Sequence, residues 1–176
     1  MSSRKFEINL LGLAGVALLI ASFFFPWWGF FTNNNTESFL YPHIIKGPVI
    51  GMIGYDRSPQ MVLLTAGLAV SILLALLGSF LKRLPGKICL VLSAAITAFF
   101  LWRFIYRLTE ITETYNIPLA GVGEAEYGGF FVAMATTSLK TGFYLAAVAV
   151  AVLLVAALIR LKIGFGAPSN PRPASA

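Results

Sequence analysis

Four stretches of this chain, 8–31, 60–81, 88–106 and 141–163, are nearly free of charge and long enough to cross a lipid bilayer. About 20 apolar residues, rising 1.5 Å each, cover roughly 30 Å of hydrocarbon. Backbone polar groups find no water there, so each stretch must satisfy its own hydrogen bonds as a helix. The pattern predicts an all-α membrane protein built as a four-transmembrane-helix bundle.

Composition agrees. Of 176 residues, 58% are hydrophobic and only 11% are charged; soluble domains carry about 25% charge. No polar segment reaches about 50 residues, which argues against a separate soluble enzymatic domain. The expected organisation is one membrane domain, 1–166, with the third helix extending to about residue 115. A Pro-, Ala- and Ser-rich tail, 167–176, is expected to be disordered. The first apolar stretch is too long for a signal-peptide core and lacks a small-x-small cleavage site, so it reads as a retained helix. Cys89 is the single cysteine. It lies inside the third stretch and is expected as a buried thiol, with no disulfide within the chain.

Charge assigns the sides. The N-terminus, the second loop and the tail together hold eight basic residues against Glu7 alone. The first and third loops hold five basic residues against six acidic ones. By the positive-inside rule both termini are cytoplasmic, and a plasma-membrane location is expected. The net charge of +6 reflects this topology. No basic run exceeds two residues, so nucleic acid is not an expected partner.

On the outer side the sequence changes character. Pro26 should kink or end the first helix within an aromatic cluster that includes Trp27 and Trp28. Trp102 lies near the outer end of the third helix. These three tryptophans read as interfacial anchors, with an aromatic ligand or lipid pocket as the alternative. In the first loop, 38–45 and 48–55 are rich in β-branched and aromatic residues and flank Lys46-Gly47, which predicts a hairpin. Pro42 and Pro48 restrict it to short or edge strands. Residues 130–137 in the last loop read as a third strand, giving a small extracellular β-sheet. The preceding 121–129 reads as a Gly-rich loop. Asn34-Asn35-Thr36 is a formal glycosylation sequon, so Asn34 is a modification candidate beside the reading as an unmodified turn.

Small residues set the expected packing. Ser58-Pro59 is a helix start signal. Gly67, Ser71, Ala75 and Ser79 then recur every four residues and form a ridge that admits another helix. Gly142 and Ala146 open a similar ridge on the fourth helix. These ridges fit packing inside the bundle or against another subunit.

No catalytic constellation emerges. His43 is the only histidine, which excludes a multi-histidine metal or bis-histidine haem site within one chain. The spans lack a central Asp, Glu, Lys or Arg of the kind transporters use. The chain is expected not to be an enzyme and to need no cofactor. Arg107 and Glu110 are spaced as a helical ion pair. The outer carboxylates Glu110, Glu113, Glu124 and Glu126 read as a solvated surface or, alternatively, as a cation site.

The layout resembles the claudin/PMP22-like four-span superfamily. Phe25-Pro26-Trp27-Trp28 is similar to that family's Pro-x-Trp ending of span one. Trp102 stands where the family often closes span three with tryptophan. Thr141-Gly142-Phe143-Tyr144-Leu145-Ala146-Ala147 is similar to its Gly-aromatic-small opening of span four. The family's Gly-Leu-Trp and paired-cysteine signature is absent. The resemblance implies a membrane scaffold for cell contact or modulation of a partner. An accessory subunit of a respiratory or transport assembly is the second expectation, and a small oligomeric pore or transporter the third. Expected partners are membrane lipid and further copies or other membrane subunits.

Overall fold

The computed structural model describes residues 7–32, 37–48, 57–81, 83–114, 117–127, 131–159 and 162–164. Strand β1 (Glu7–Asn9) leads into α1 (Leu10–Phe24). Strands β2 (Trp28–Thr32), β3 (Glu37–Leu40) and β4 (Ile45–Lys46) follow. Helices α2 (Pro59–Phe80) and α3 (Arg83–Thr114) come next. Then come β5 (Gly121–Tyr127), β6 (Phe131–Leu139), α4 (Thr141–Leu158) and β7 (Lys162–Gly164).

Among the described residues, α2, α3 and α4 are long and apolar enough to cross a membrane. Their outward flanks are apolar too: Leu63, Leu73, Val148 and Leu158 are all exposed. Water does not tolerate so continuous an apolar surface on a monomer, whereas lipid does. The chain is a membrane protein.

The first helix is shorter than the expected 8–31. It has 15 residues, an axial length of about 22 Å. Proline disfavours helical geometry in the residue before it, and Phe25 is extended. Trp27 therefore lies beyond the helix, and Trp28 begins a strand. At the other end Asn9 caps α1, accepting the Gly12 N–H at 3.3 Å.

Ser58 caps α2 by accepting the Met61 N–H at 3.3 Å, with Pro59 in the first turn. The expected turn over 82–87 is also shorter. Pro85 and Gly86 lie in the first turn of α3, where a missing N–H costs nothing. Gly86 faces the carbonyl oxygens of Leu81 and Gly78, too close for a side chain. Helix α4 ends at Leu158 instead of reaching 163, and β7 pairs antiparallel with β1. That two-stranded ribbon joins the start of α1 to the end of α4.

The helices close a ring through the contacts α1–α4, α4–α3, α3–α2 and α2–α1. Two clusters fill it. Toward the β1–β7 end lie Val16, Leu19, Ala75, Leu90, Ala94 and Leu153. Toward the other end lie Trp27, Leu64, Leu68, Leu101, Phe104 and Leu108.

A five-stranded antiparallel sheet, order β4-β3-β2-β6-β5, sits at this second end. The expected strand 38–45 is broken at Pro42. Tyr41–Ile44 forms the turn instead, with the Tyr41 N–H donating to the Ile44 carbonyl at 2.9 Å. Lys46 is the last residue of β4, and Gly47 leaves the sheet at φ +110°. Residues 49–56 of the expected second strand lie outside the described residues. Strand β6 covers the expected 130–137 almost fully. Strands β2 and β5 fall where a helix end and a Gly-rich loop were expected.

A candidate contact surface at the sheet end

Pro26 and Trp27 tie three elements together. The Trp27 N–H donates to the Leu40 carbonyl at 2.7 Å, and the Lys140 N–H donates to the Trp27 carbonyl at 2.9 Å. The Gly142 N–H donates to the Pro26 carbonyl at 2.9 Å. This last bond matters because α4 has no side-chain cap of its own.

Trp27 is fully buried and is not an interfacial anchor. Its ring meets Phe104 edge-on at 5.2 Å and Phe143 at 6.0 Å. Its Nε1–H donates to the Ser22 carbonyl at 3.0 Å, which satisfies its one polar group. A Cβ at Gly142 would collide with the Phe25 carbonyl and the Trp27 ring. The glycine is thus the seat for the tryptophan.

Trp28 is half-buried, and its Nε1–H donates to the Leu119 carbonyl at 3.0 Å. The Thr137 hydroxyl donates to the Pro118 carbonyl at 2.6 Å. These two bonds fasten 117–119 to the sheet. On the other flank the Thr65 hydroxyl donates to the Pro42 carbonyl at 3.0 Å, tying the β3–β4 turn to α2. The sheet is therefore anchored on the bundle at several points. Trp102, by contrast, is 61% exposed on α3, consistent with an anchoring role.

Strands β4 and β5 are the sheet edges. On and beside β5, Val122 and Glu124 are exposed, and so is Met134 on β6. Gly123 suits the strand because the Pro118 ring occupies the space a side chain would need. Around the sheet, Lys140 lies 4.5 Å over the Phe31 ring and Lys46 lies 4.9 Å over Tyr41. His43 is exposed in the β3–β4 turn, stacked 6.5 Å from Phe23 and tilted at 55° to the Tyr41 ring 6.0 Å away. Partial burial, then the charges of Lys46 and Arg57, hold its imidazole below the ordinary range.

The small-residue ridge on α2 faces other helices of this chain. A Cβ at Gly67 would enter the Phe100 ring. Ser71 is fully buried: its Oγ donates to the Ser93 carbonyl at 2.8 Å and lies 2.8 Å from Ser93 Oγ, with Thr97 also in contact. Ala75 is in the core, and Ser79 lies against Gly12. On α4, Gly142 and Ala146 are both buried.

Arg107 pairs with Glu110 and also donates from Nε to Gln60 Oε1 at 2.7 Å. Glu113 and Glu124 are exposed. Cys89 is half-buried and free. Asn34 lies outside the described residues. Among the described residues, no three His, Cys, Asp or Glu side chains gather as a metal-ligand group.

Asn9, Ser93 and Thr97 are polar positions that the sequence reading passes over. A signal exists for each. Asn9 stands directly before an apolar run, as an N-cap does. Ser93 and Thr97 are hydroxyls four residues apart within an apolar helix, on the same face.

Neither protein-family models nor characterised proteins give a match to this chain.

Proposed function

We propose that this protein is an integral membrane scaffold whose four spans hold a β-sheet outside the bilayer as a contact surface. The observation that carries this reading is the anchoring of the sheet. Trp27, Trp28, Thr65 and Thr137 fix it to helices or to the segment leaving α3, while Val122, Glu124 and Met134 remain turned outward. A surface held this firmly suits recognition, because little ordering entropy is lost on contact.

The excess of Lys and Arg in the termini and the α2–α3 turn supports cytoplasmic termini, and the plasma membrane is the proposed location. Helix α1 is the shortest, and the Phe24 and Phe25 rings exposed at its end would extend its apolar length as the first span. A sheet built jointly from both long loops, with an extended α3, supports a claudin/PMP22-like layout. Self-association or a neighbouring membrane subunit would supply the partner.

Photocrosslinkers at Val122 and at Leu73, installed in cells, test the reading. Val122 should give one discrete crosslinked species, and Leu73 on the lipid-facing flank should give none. Impermeant thiol labelling in a Cys89→Ser background should modify a cysteine at Val122 but not one at Ser169. The reverse labelling, or equal crosslinking at both positions, would overturn the proposal.

A further inference from the structure

Lys87 and Arg103 bound the uncharged part of α3, 16 positions apart, an axial length of about 24 Å. By this count the hydrocarbon edge falls near Trp102, and the following turns rise through the headgroup layer. There the helix carries a cleft of about 330 Å³, lined by Trp102, Ile105, Tyr106, Thr109, Glu110 and Glu113. Their spacing of three and four residues puts them on one face.

Charge along this face is ordered. Below the lower rim, and not itself a lining residue, the Arg103 guanidinium lies 5.6 Å over the ring of Tyr106, which lines the cleft. At the upper rim stand Glu110 and Glu113. Side chains of a helix lean toward its N-terminus, so the Glu113 carboxylate reaches back over the cleft, whereas the Glu110 carboxylate pairs with Arg107. Arg107 is committed to Glu110 and Gln60 on the neighbouring face. Between the rims, the Trp102 and Tyr106 rings lie 6.0 Å apart at 35°.

We propose that this cleft binds one zwitterionic phospholipid through its headgroup. The phosphate lies nearer the acyl chains, level with Arg103. The ammonium lies at the far end of the headgroup, toward the exposed Glu113, since Glu110 is paired with Arg107. Trp102 and Phe99, whose rings are 5.9 Å apart, offer an apolar track for an acyl chain below. An arginine below and a carboxylate above suit no anionic lipid equally well, since phosphatidylglycerol offers the phosphate without the ammonium. The site rests on the membrane reading above and is independent of what the sheet contacts.

Native mass spectrometry of the intact, mildly solubilised protein tests this, with phosphatidylcholine, phosphatidylethanolamine and phosphatidylglycerol supplied in equal amounts. Either zwitterionic lipid should be retained about 5-fold over phosphatidylglycerol, the size of one exposed ion pair. Glu113→Gln should bring that ratio close to parity, and Arg103→Gln should lower retention of all three. Glu113 is exposed, so the first variant should keep the native melting temperature. Leu73→Ala, on an exposed flank of α2 away from the α3 cleft, should leave the ratio unchanged. Equal retention of the three lipids, a Glu113→Gln ratio like that of the parent, or a protein dimer abolished by Trp102→Ala in place of bound lipid would overturn the proposal. Crosslinking at Val122 is read separately, so either proposal can fail alone.

Discussion

Asn9 Nδ2 donates to the carbonyl of Ala156 at 2.9 Å. One buried side chain thereby caps the start of α1 and satisfies a carbonyl in the last turn of α4. Asn9→Ser keeps the cap and loses the bridge. Asn9→Leu loses both and leaves buried backbone groups unpaired. We expect losses of about 1 kcal/mol for the serine and about 2–4 kcal/mol for the leucine. Thermal unfolding in detergent checks the order; equal melting temperatures would remove the bridge as a stabilising contact.

The hydroxyls of Ser71, Ser93 and Thr97 join α2 to α3. Ser93 and Thr97 also donate to backbone carbonyls, at 2.7 and 2.9 Å. Ser71→Ala should therefore cost only about 0.6–1.7 kcal/mol. Ser71→Leu and Gly67→Leu should impair folding, because each pushes a side chain into α3. Retention of native unfolding temperature by both leucine variants would show that the helices do not approach as described.

The two ends of the tryptophan series should behave oppositely. Trp27→Ala opens a cavity at the junction of α1, α3 and α4 and should cost about 3–5 kcal/mol. Trp102→Ala removes an exposed ring and should change stability by at most about 0.5 kcal/mol. Equal effects measured by chemical unfolding would contradict the burial of Trp27.

His43 should titrate below its ordinary value of 6.5. A histidine with a lowered folded-state pKa takes up protons more readily when unfolded. Its contribution is therefore present above pH 6.5 and is lost as pH falls from there through the folded-state pKa. NMR titration should show the low midpoint, and Lys46→Gln should move it upward. No shift in that variant would assign the effect to burial and to Arg57.

Apolar run length made the long helices legible, and Ser58-Pro59 marked the start of α2. Strand β2 was not legible, because Trp28–Thr32 is as apolar as the helix before it. Its fate depends on Pro26 and on partners more than a hundred residues away. Strand β5 hid behind Gly121 and Gly123, which look like loop residues until Pro118 is seen filling the gap. The role of Trp27 was misread for a related reason. Composition places a tryptophan near an interface, but only the approach of Gly142 shows that it faces inward. For the cleft on α3, residue types and spacing were visible, whereas the tilt and exposure of the rings were not.

The pairing of Trp28–Thr32 with Ala135–Leu139 sets an order of events during synthesis. Strand β2 leaves the ribosome early, and its central neighbour emerges only after α1, α2 and α3 are complete. Until then the β2-β3-β4 hairpins expose a long unpaired edge. Closing contacts between such distant segments is slow, and an open edge invites pairing with other chains. Completion of β6 is therefore the step that covers this edge of β2. Truncations just before residue 131 should be degraded as incomplete, even though three of the four helices are already in place.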